Sequence, residues 1–122
     1  MKIAVSALEN RPSGPVDLRF GRATLFLVTS DEGATWQTID NSAIAEAAQG
    51  AGIQTSQRLV DAGVEAIITG HVGPKAFAVL QSGKVAMFSV QGGTIEDAVK
   101  AWKAGSLTRL DGADVRGHWG GR

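Results

Sequence analysis

The apolar positions of this chain change period part-way along it. "KIAVSAL" (residues 2–8) is apolar and β-branched without polar alternation, which predicts a strand covered on both faces. "TLFLVTS" (24–30) predicts a second strand, and "DEG" a tight turn into "ATWQTID" (34–40). That third strand would put Trp36 and Ile39 on opposite faces and close a hairpin. Between strands one and two lies "ENRPSGPVDLRFGRA", fifteen residues holding two prolines and two glycines. Loops of that length in compact domains usually carry function.

The second half has a helical period. "IQTSQRLVDAG" (53–63) places Ile53, Gln57 and Val60 near one helical face, with Leu59 beside it, and stops at Gly63. "VEAIITG" (64–70) is again a strand without alternation. Pro74 opens the next helix, which turns Phe77 and Leu80 inward with Ala76 and Val79 alongside and ends at Gly83. "KVAMFSV" (84–90) is another buried strand. Thr94 is the expected N-cap of the last helix, "IEDAVKAWKAG", with Asp97 at its third position. "NSAIAEAAQGAG" (41–52) stays open between helix and flexible connection, because alanine and glycine pull in opposite directions. "SLTRLDGADVRGHWGGR" (106–122) loses periodicity and gains glycine, and is expected to be a mobile tail.

The predicted order is therefore β-β-β-α-β-α-β-α. It gives an α/β fold with a ribonuclease-H-like motif: a five-stranded mixed sheet, strand two antiparallel, flanked by three helices. Strand one sits in the centre, with the hairpin on one side and strands four and five on the other. The βαβ crossovers are expected to be right-handed, with parallel strands.

Composition narrows the chemistry. The 122 residues suit one domain, and 43% hydrophobic with 20% charged residues is ordinary globular usage. Twelve basic residues balance twelve acidic ones, so charge gives no support for nucleic-acid or membrane-surface binding. Cysteine is absent, which removes disulfides, thiolate metal ligands and cysteine nucleophiles. The N-terminus reads neither as a signal peptide nor as a membrane span, and a soluble, cytoplasmic protein is expected.

Balanced overall, the charge is uneven locally. No carboxylate occurs between Glu65 and Glu96, whereas His71, Lys75 and Lys84 do. The first loop adds Arg11, Arg19 and Arg22 against Asp17. Ligands of open α/β sheets sit beyond the carboxyl ends of the parallel strands, where the winding reverses. The loops after strands one, four and five should meet there, and all three helices should start on that edge. Helix N-termini expose unpaired N–H groups and partial positive charge. The chosen anion-site residues are Arg22, His71 and Lys75 for charge, and Gly70 and Gly73 for close backbone approach. Arg11 and Arg19 are second choices. Each feature has an ordinary explanation as well: Gly73-Pro74 as turn and helix start, His71 as a backbone hydrogen-bonder, the arginines as surface charge. The anion reading rests on their convergence.

A nuclease of this fold needs carboxylates clustered on the central strands to hold two metals. "KIAVSAL" offers none before Glu9, and "VEAIITG" only Glu65, at the wrong end.

"DLRFGRA", "GAG", "LVDAGVEAIITGHVGPKAF" and "GKVAMFSV" together resemble the dinitrogenase iron–molybdenum cofactor biosynthesis family, over roughly residues 1–108. The most specific pieces are Phe20-Gly21-Arg22-Ala23, Gly70, Gly73-Pro74 and Ala76-Phe77. The resemblance implies a ribonuclease-H-like fold and a domain, residues 1–105, that binds or carries a metal–sulfur cofactor, followed by the tail 106–122. Within the family the chain looks most like members with a sulfide-bridged molybdenum–copper cluster held without covalent protein ligands. It implies a non-catalytic carrier and, as a partner, an acceptor or regulatory protein. The alternative is a protein–protein regulatory or scaffold module with no resident cofactor.

Overall fold

The computed structural model describes residues 1–47 and 49–111. Its elements are β1 (Ile3–Ala7), β2 (Leu25–Thr29), β3 (Gln37–Asp40), α1 (Ser42–Ala45), α2 (Ala51–Asp61), β4 (Ala66–Thr69), α3 (Pro74–Ser82), β5 (Ala86–Ser89), α4 (Ile95–Lys103) and β6 (Thr108–Arg109). One mixed sheet runs β3-β2-β1-β4-β5-β6. The central place of β1, the antiparallel hairpin beside it and the parallel β1–β4–β5 order agree with the hydrophobic pattern.

Two counts differ. The sheet has six strands rather than five, and the described residues form four helices rather than three. The extra helix, α1, is one turn within the ambiguous alanine-rich stretch. The extra strand, β6, lies in the glycine-rich stretch expected to be a tail. Thr108 and Arg109 pair antiparallel with Ser89 and Phe88, and the Leu110 N–H donates to the Met87 carbonyl at 2.8 Å. Leu107 and Leu110 pack against opposite faces of the sheet, an alternation too short to stand out between glycines. Residues 112–122, the rest of that stretch, lie outside the described residues.

Two apolar layers cover the sheet. Ile3, Val5 and Ala7 of β1, with Ala66 and Ile68 of β4, face Ile95, Ala98 and Val99 of α4. Ala4, Ile67, Phe26 and Val28 face the other way, against Leu59 of α2 and Phe77 and Leu80 of α3. Burial of an Ile, Leu or Phe side chain contributes about 1.5–3 kcal/mol, so these layers dominate the stability. Trp36, just before β3, and Ile39 within it go to opposite layers, as the hairpin requires. On α2 the buried face is Ala51, Thr55, Ser56 and Leu59, while Ile53 is 40% exposed. At 100° per residue the buried face is thus turned by about 140° from the expected Ile53–Gln57–Val60 face, more than a third of a turn. The reason is polar: the Ser56 hydroxyl back-bonds to the Gly52 carbonyl at 2.7 Å, and Thr55 accepts from buried Asn41 at 3.0 Å. Counting apolar residues alone misplaces such a face.

Candidate functional site

Ser6, next to last in β1, and Thr69, last in β4, lie on neighbouring buried parallel strands with hydroxyls 2.7 Å apart. Ser6 Oγ also donates to the Asp17 carbonyl at 2.5 Å, pinning the first loop across the carboxyl edge. The loop then runs beside the β4–α3 connection: His71 N–H donates to the Leu18 carbonyl at 3.0 Å, and Phe20 N–H to the His71 carbonyl at 3.4 Å. Gly70 makes this approach possible, since a Cβ there would stand 2.6 Å from Leu18 Cβ and from the Leu18 carbonyl oxygen.

These contacts enclose one side of an open cavity of about 790 Å³. Arg19, Arg22, His71, Gly73 and Lys75 line it, together with Gly50, Ala51, Gly52 and Ile53 of the α2 start. Both α2 and α3 therefore begin at this cavity, and among the described residues no side chain caps either helix. Among the described residues, no carbonyl of another segment accepts from the N–H groups of Ala51, Gly52, Ile53, Lys75 or Ala76. Two partial positive ends, a lysine, a histidine and two arginines thus share one concave surface. Leu18 and Ile53, each 40% exposed, put apolar surface in the same wall.

The cations are not equivalent. Arg19 forms a two-pronged ion pair with Asp17, Nε and one terminal nitrogen each 3.1 Å from a carboxylate oxygen. The Asp17 side chain is 3% exposed and that of Arg19 64% exposed. Hydrogen bonding to Asp17 first, and its charge second, raises the guanidinium pKa further. Arg19 thus neutralises a buried carboxylate and offers only its outer edge to a ligand. Arg22 donates from Nη1 to the Ala45 and Ala47 carbonyls at 2.9 and 2.6 Å. Lys75 and His71 make no side-chain hydrogen bond or ion pair within the described residues. Gly73 faces open space. Among the described residues, no three histidine, aspartate or glutamate side chains gather as a metal site.

Comparison with known proteins places the chain in a family. Residues 1–105 match the family model described as dinitrogenase iron-molybdenum cofactor. The chain belongs to that family. A solved structure of the apo form of the orange protein from Desulfovibrio gigas superimposes with a TM-score of 0.86 at 35% identity, covering 91% of this chain and 93% of that one. An NMR structure of a Thermotoga protein of the DUF35 family gives 0.77 at 31% identity, covering 89% and 92%. An uncharacterized protein of Methanocaldococcus jannaschii is 27% identical over 114 residues, 91% of this chain and 92% of its own length. No helix among the described residues is long and apolar enough to cross a membrane.

For this member of the iron–molybdenum cofactor family, the structure gives Phe20-Gly21-Arg22-Ala23 a residue-by-residue meaning. Phe20 is buried and packs edge-on against Phe26, ring centroids 5.7 Å apart. A Cβ on Gly21 would come within 2.9 Å of Gly52 Cα, so the loop can lie on the α2 start only with glycine there. Arg22 binds the end of α1, and the Ala23 carbonyl accepts from Asn41 Nδ2 at 2.9 Å.

Some expected members lie elsewhere. Gly70 contacts Leu18 rather than lining the cavity. Arg11 is outside it and pairs with Glu9. Lys84 lines a separate cavity with Arg109 and Asp111, before the amino end of β5. The α4 N-terminus opens on the other sheet face, where the first loop seals it. Ile95 and Glu96 N–H groups donate to the Gly14 and Pro12 carbonyls at 3.0 and 2.9 Å, and Asp97 N–H to Thr94 Oγ1 at 3.2 Å.

The residues that the anion assignment omitted are Gly50, Ala51, Gly52 and Ile53. Their signal was "GAG" in front of a helix, a potential uncapped N-terminus. Its nearness to the His71 loop follows from packing: Gly52 touches Gly21 on one side, and on the other its added Cβ would be 3.3 Å from Ala76 Cβ at the α3 start.

Proposed function

We propose that this protein is a non-catalytic carrier of an anionic metal–sulfur cluster, held noncovalently in the cavity between the α2 and α3 N-termini. The observation carrying this reading is the meeting of two uncapped helix starts with Lys75 and His71 in one cavity of a family member. A cysteine-free chain has no thiolate for a cluster, so the donor set fits an anion held from outside its own sulfur shell. Main-chain N–H groups of Ala51, Gly52, Ile53, Lys75 and Ala76 would donate to it. The Lys75 ammonium and the His71 imidazole would add charge and a further donor, and the outer edge of Arg19 a weaker one. Leu18 and Ile53 would contact the weakly hydrated sulfur surface.

Hydrogen bonds to charged groups contribute about 1.5–3 kcal/mol each. Two or three such contacts support roughly micromolar binding before ordering costs. The cluster type we favour is the molybdenum–copper sulfide implied by the sequence resemblance, with a cytoplasmic acceptor or regulatory protein receiving it.

Reconstitution tests this. Protein stripped of metal is mixed with tetrathiomolybdate and copper, desalted, and read by visible absorbance and elemental analysis. Retained colour with stoichiometric metal is expected, from a protein whose proton spectrum was already folded before metal was added. Loss of all colour on desalting would defeat the carrier reading and favour the scaffold alternative.

A further inference from the structure

The two arginines at the cavity differ in what they hold, and this assigns Arg22 a task of its own. Helix α1 has four residues, no side-chain N-cap and one buried residue, Ala45. A single turn of that kind does not hold itself, because helix nucleation costs more than one turn returns. Of the described residues between it and α2, Gln49 and Gly50 form a wall of the cavity, and Gly50 leads into the open N-terminus of α2. Something outside must fix its course. Arg22 Nη1 does so with its two bonds to the Ala45 and Ala47 carbonyls, one at the α1 end and one beyond it. A cation is favoured at a helix C-terminus, and a charged donor makes the stronger hydrogen bond. The neighbouring Gly21 rests on Gly52 in the first turn of α2. Residues 21 and 22 therefore grip the α1–α2 connection at both ends.

We propose that Arg22 is a positioning residue: it clamps the α1–α2 connection so that the N–H groups at the start of α2 face the cavity. This rests on the carrier reading for its effect on ligand, but the clamp itself is a property of the ligand-free protein. It differs from a pure charge role, which leaves the empty protein unchanged.

The experiment has two readouts on the full chain. In ligand-free Arg22→Met, the amides of Ala45, Glu46, Ala47 and Gln54 should exchange with deuterium about tenfold faster than in the wild type, while those of α4 stay protected. Tetrathiomolybdate, used alone as the probe, should bind about tenfold more weakly. Lys75→Met should weaken the probe without changing exchange at the four amides. Unchanged exchange in Arg22→Met would overturn the clamp and leave Arg22 a charge partner. Faster exchange with unaltered probe affinity would overturn its bearing on the site. Should Arg22→Met lose protection everywhere, Arg22→Lys keeps the charge without the forked donor geometry, and the same two expectations apply to it in weaker form. Failure of the wild type to bind the probe would strike the carrier reading, while the exchange comparison would still decide the clamp.

Discussion

The start of α4 and the paired starts of α2 and α3 occupy the same edge of the sheet, on opposite faces, and are finished in opposite ways. At α4, Thr94 caps from the side chain, and Gly14 and Pro12 of the first loop take the next N–H groups. Two acidic residues, Glu96 and Asp97, sit in its first turn. Its macrodipole and its donors are satisfied internally. At α2 and α3, the cap residues are Gly50 and Gly73, without acceptor side chains, and no acidic residue lies in either first turn. The donors there are left for something else, and the nearby side chains add positive charge. One sequence thus contains its own control: the same structural element closed for stability in one place and left open in another.

The largest effect should come from breaking the approach that brings the open edge together. Gly70→Ala would press a methyl group against the Leu18 backbone. A cost of about 2–3 kcal/mol is expected from such overpacking. Urea unfolding gives the value, and a loss under 1 kcal/mol, about one misfit methyl's worth at its mildest, would mean the loop simply moves away. Next is charge. Lys75→Glu should weaken retention of the reconstituted cluster about tenfold or more, at one factor of ten per 1.4 kcal/mol. Lys100→Glu, on α4, should change it little. Equal losses in the two variants would erase the distinction between the two faces. Added salt should weaken binding as well.

Thr94→Ala inverts the test. Removing this cap should cost about 1 kcal/mol of stability and leave anion binding unchanged. If it weakened binding as much as Lys75→Glu, α4 would belong to the site. The smallest effect lies away from these helix starts, in the β2–β3 turn. Asp31 accepts from the Thr35 hydroxyl and N–H and from the Thr29 hydroxyl, which lower its pKa to about 2, the Thr35 hydroxyl first. A depressed carboxylate pKa stabilises the fold above its ordinary value of 3.8, and that contribution is lost as pH falls toward about 2. Urea midpoints measured across that window should fall less steeply for Asp31→Asn than for the wild type. Parallel slopes would show that the turn contributes nothing there.

Much of this was readable in advance, and the exceptions share a cause. Strand order, the hairpin, the Thr94 cap and the helix start at Pro74 follow from local pattern: period, cap chemistry and proline geometry act within a few residues. Arg19, Arg22, His71, Gly73 and Lys75 line one cavity, whereas Gly70 and Arg11, chosen with them, do not. The sixth strand did not announce itself, because two residues become a strand only when a neighbouring edge supplies the partner. The turned face of α2 depended on Asn41, a residue from another segment that satisfies Thr55.

Sequence by itself determined that this chain holds a buried parallel centre, positive loops beyond it and no thiolate. Only the tertiary structure decided which positive groups are free. Asp17 takes much of Arg19, two carbonyls take Arg22, and Lys84 lies in a different cavity. It also decided which helix starts are open, since Thr94 signals a cap locally but the Pro12 and Gly14 carbonyls reach α4 only through the path of the first loop. The physical reason is that charge and donors are properties of residues, whereas their satisfaction depends on partners distant in the chain and adjacent in space.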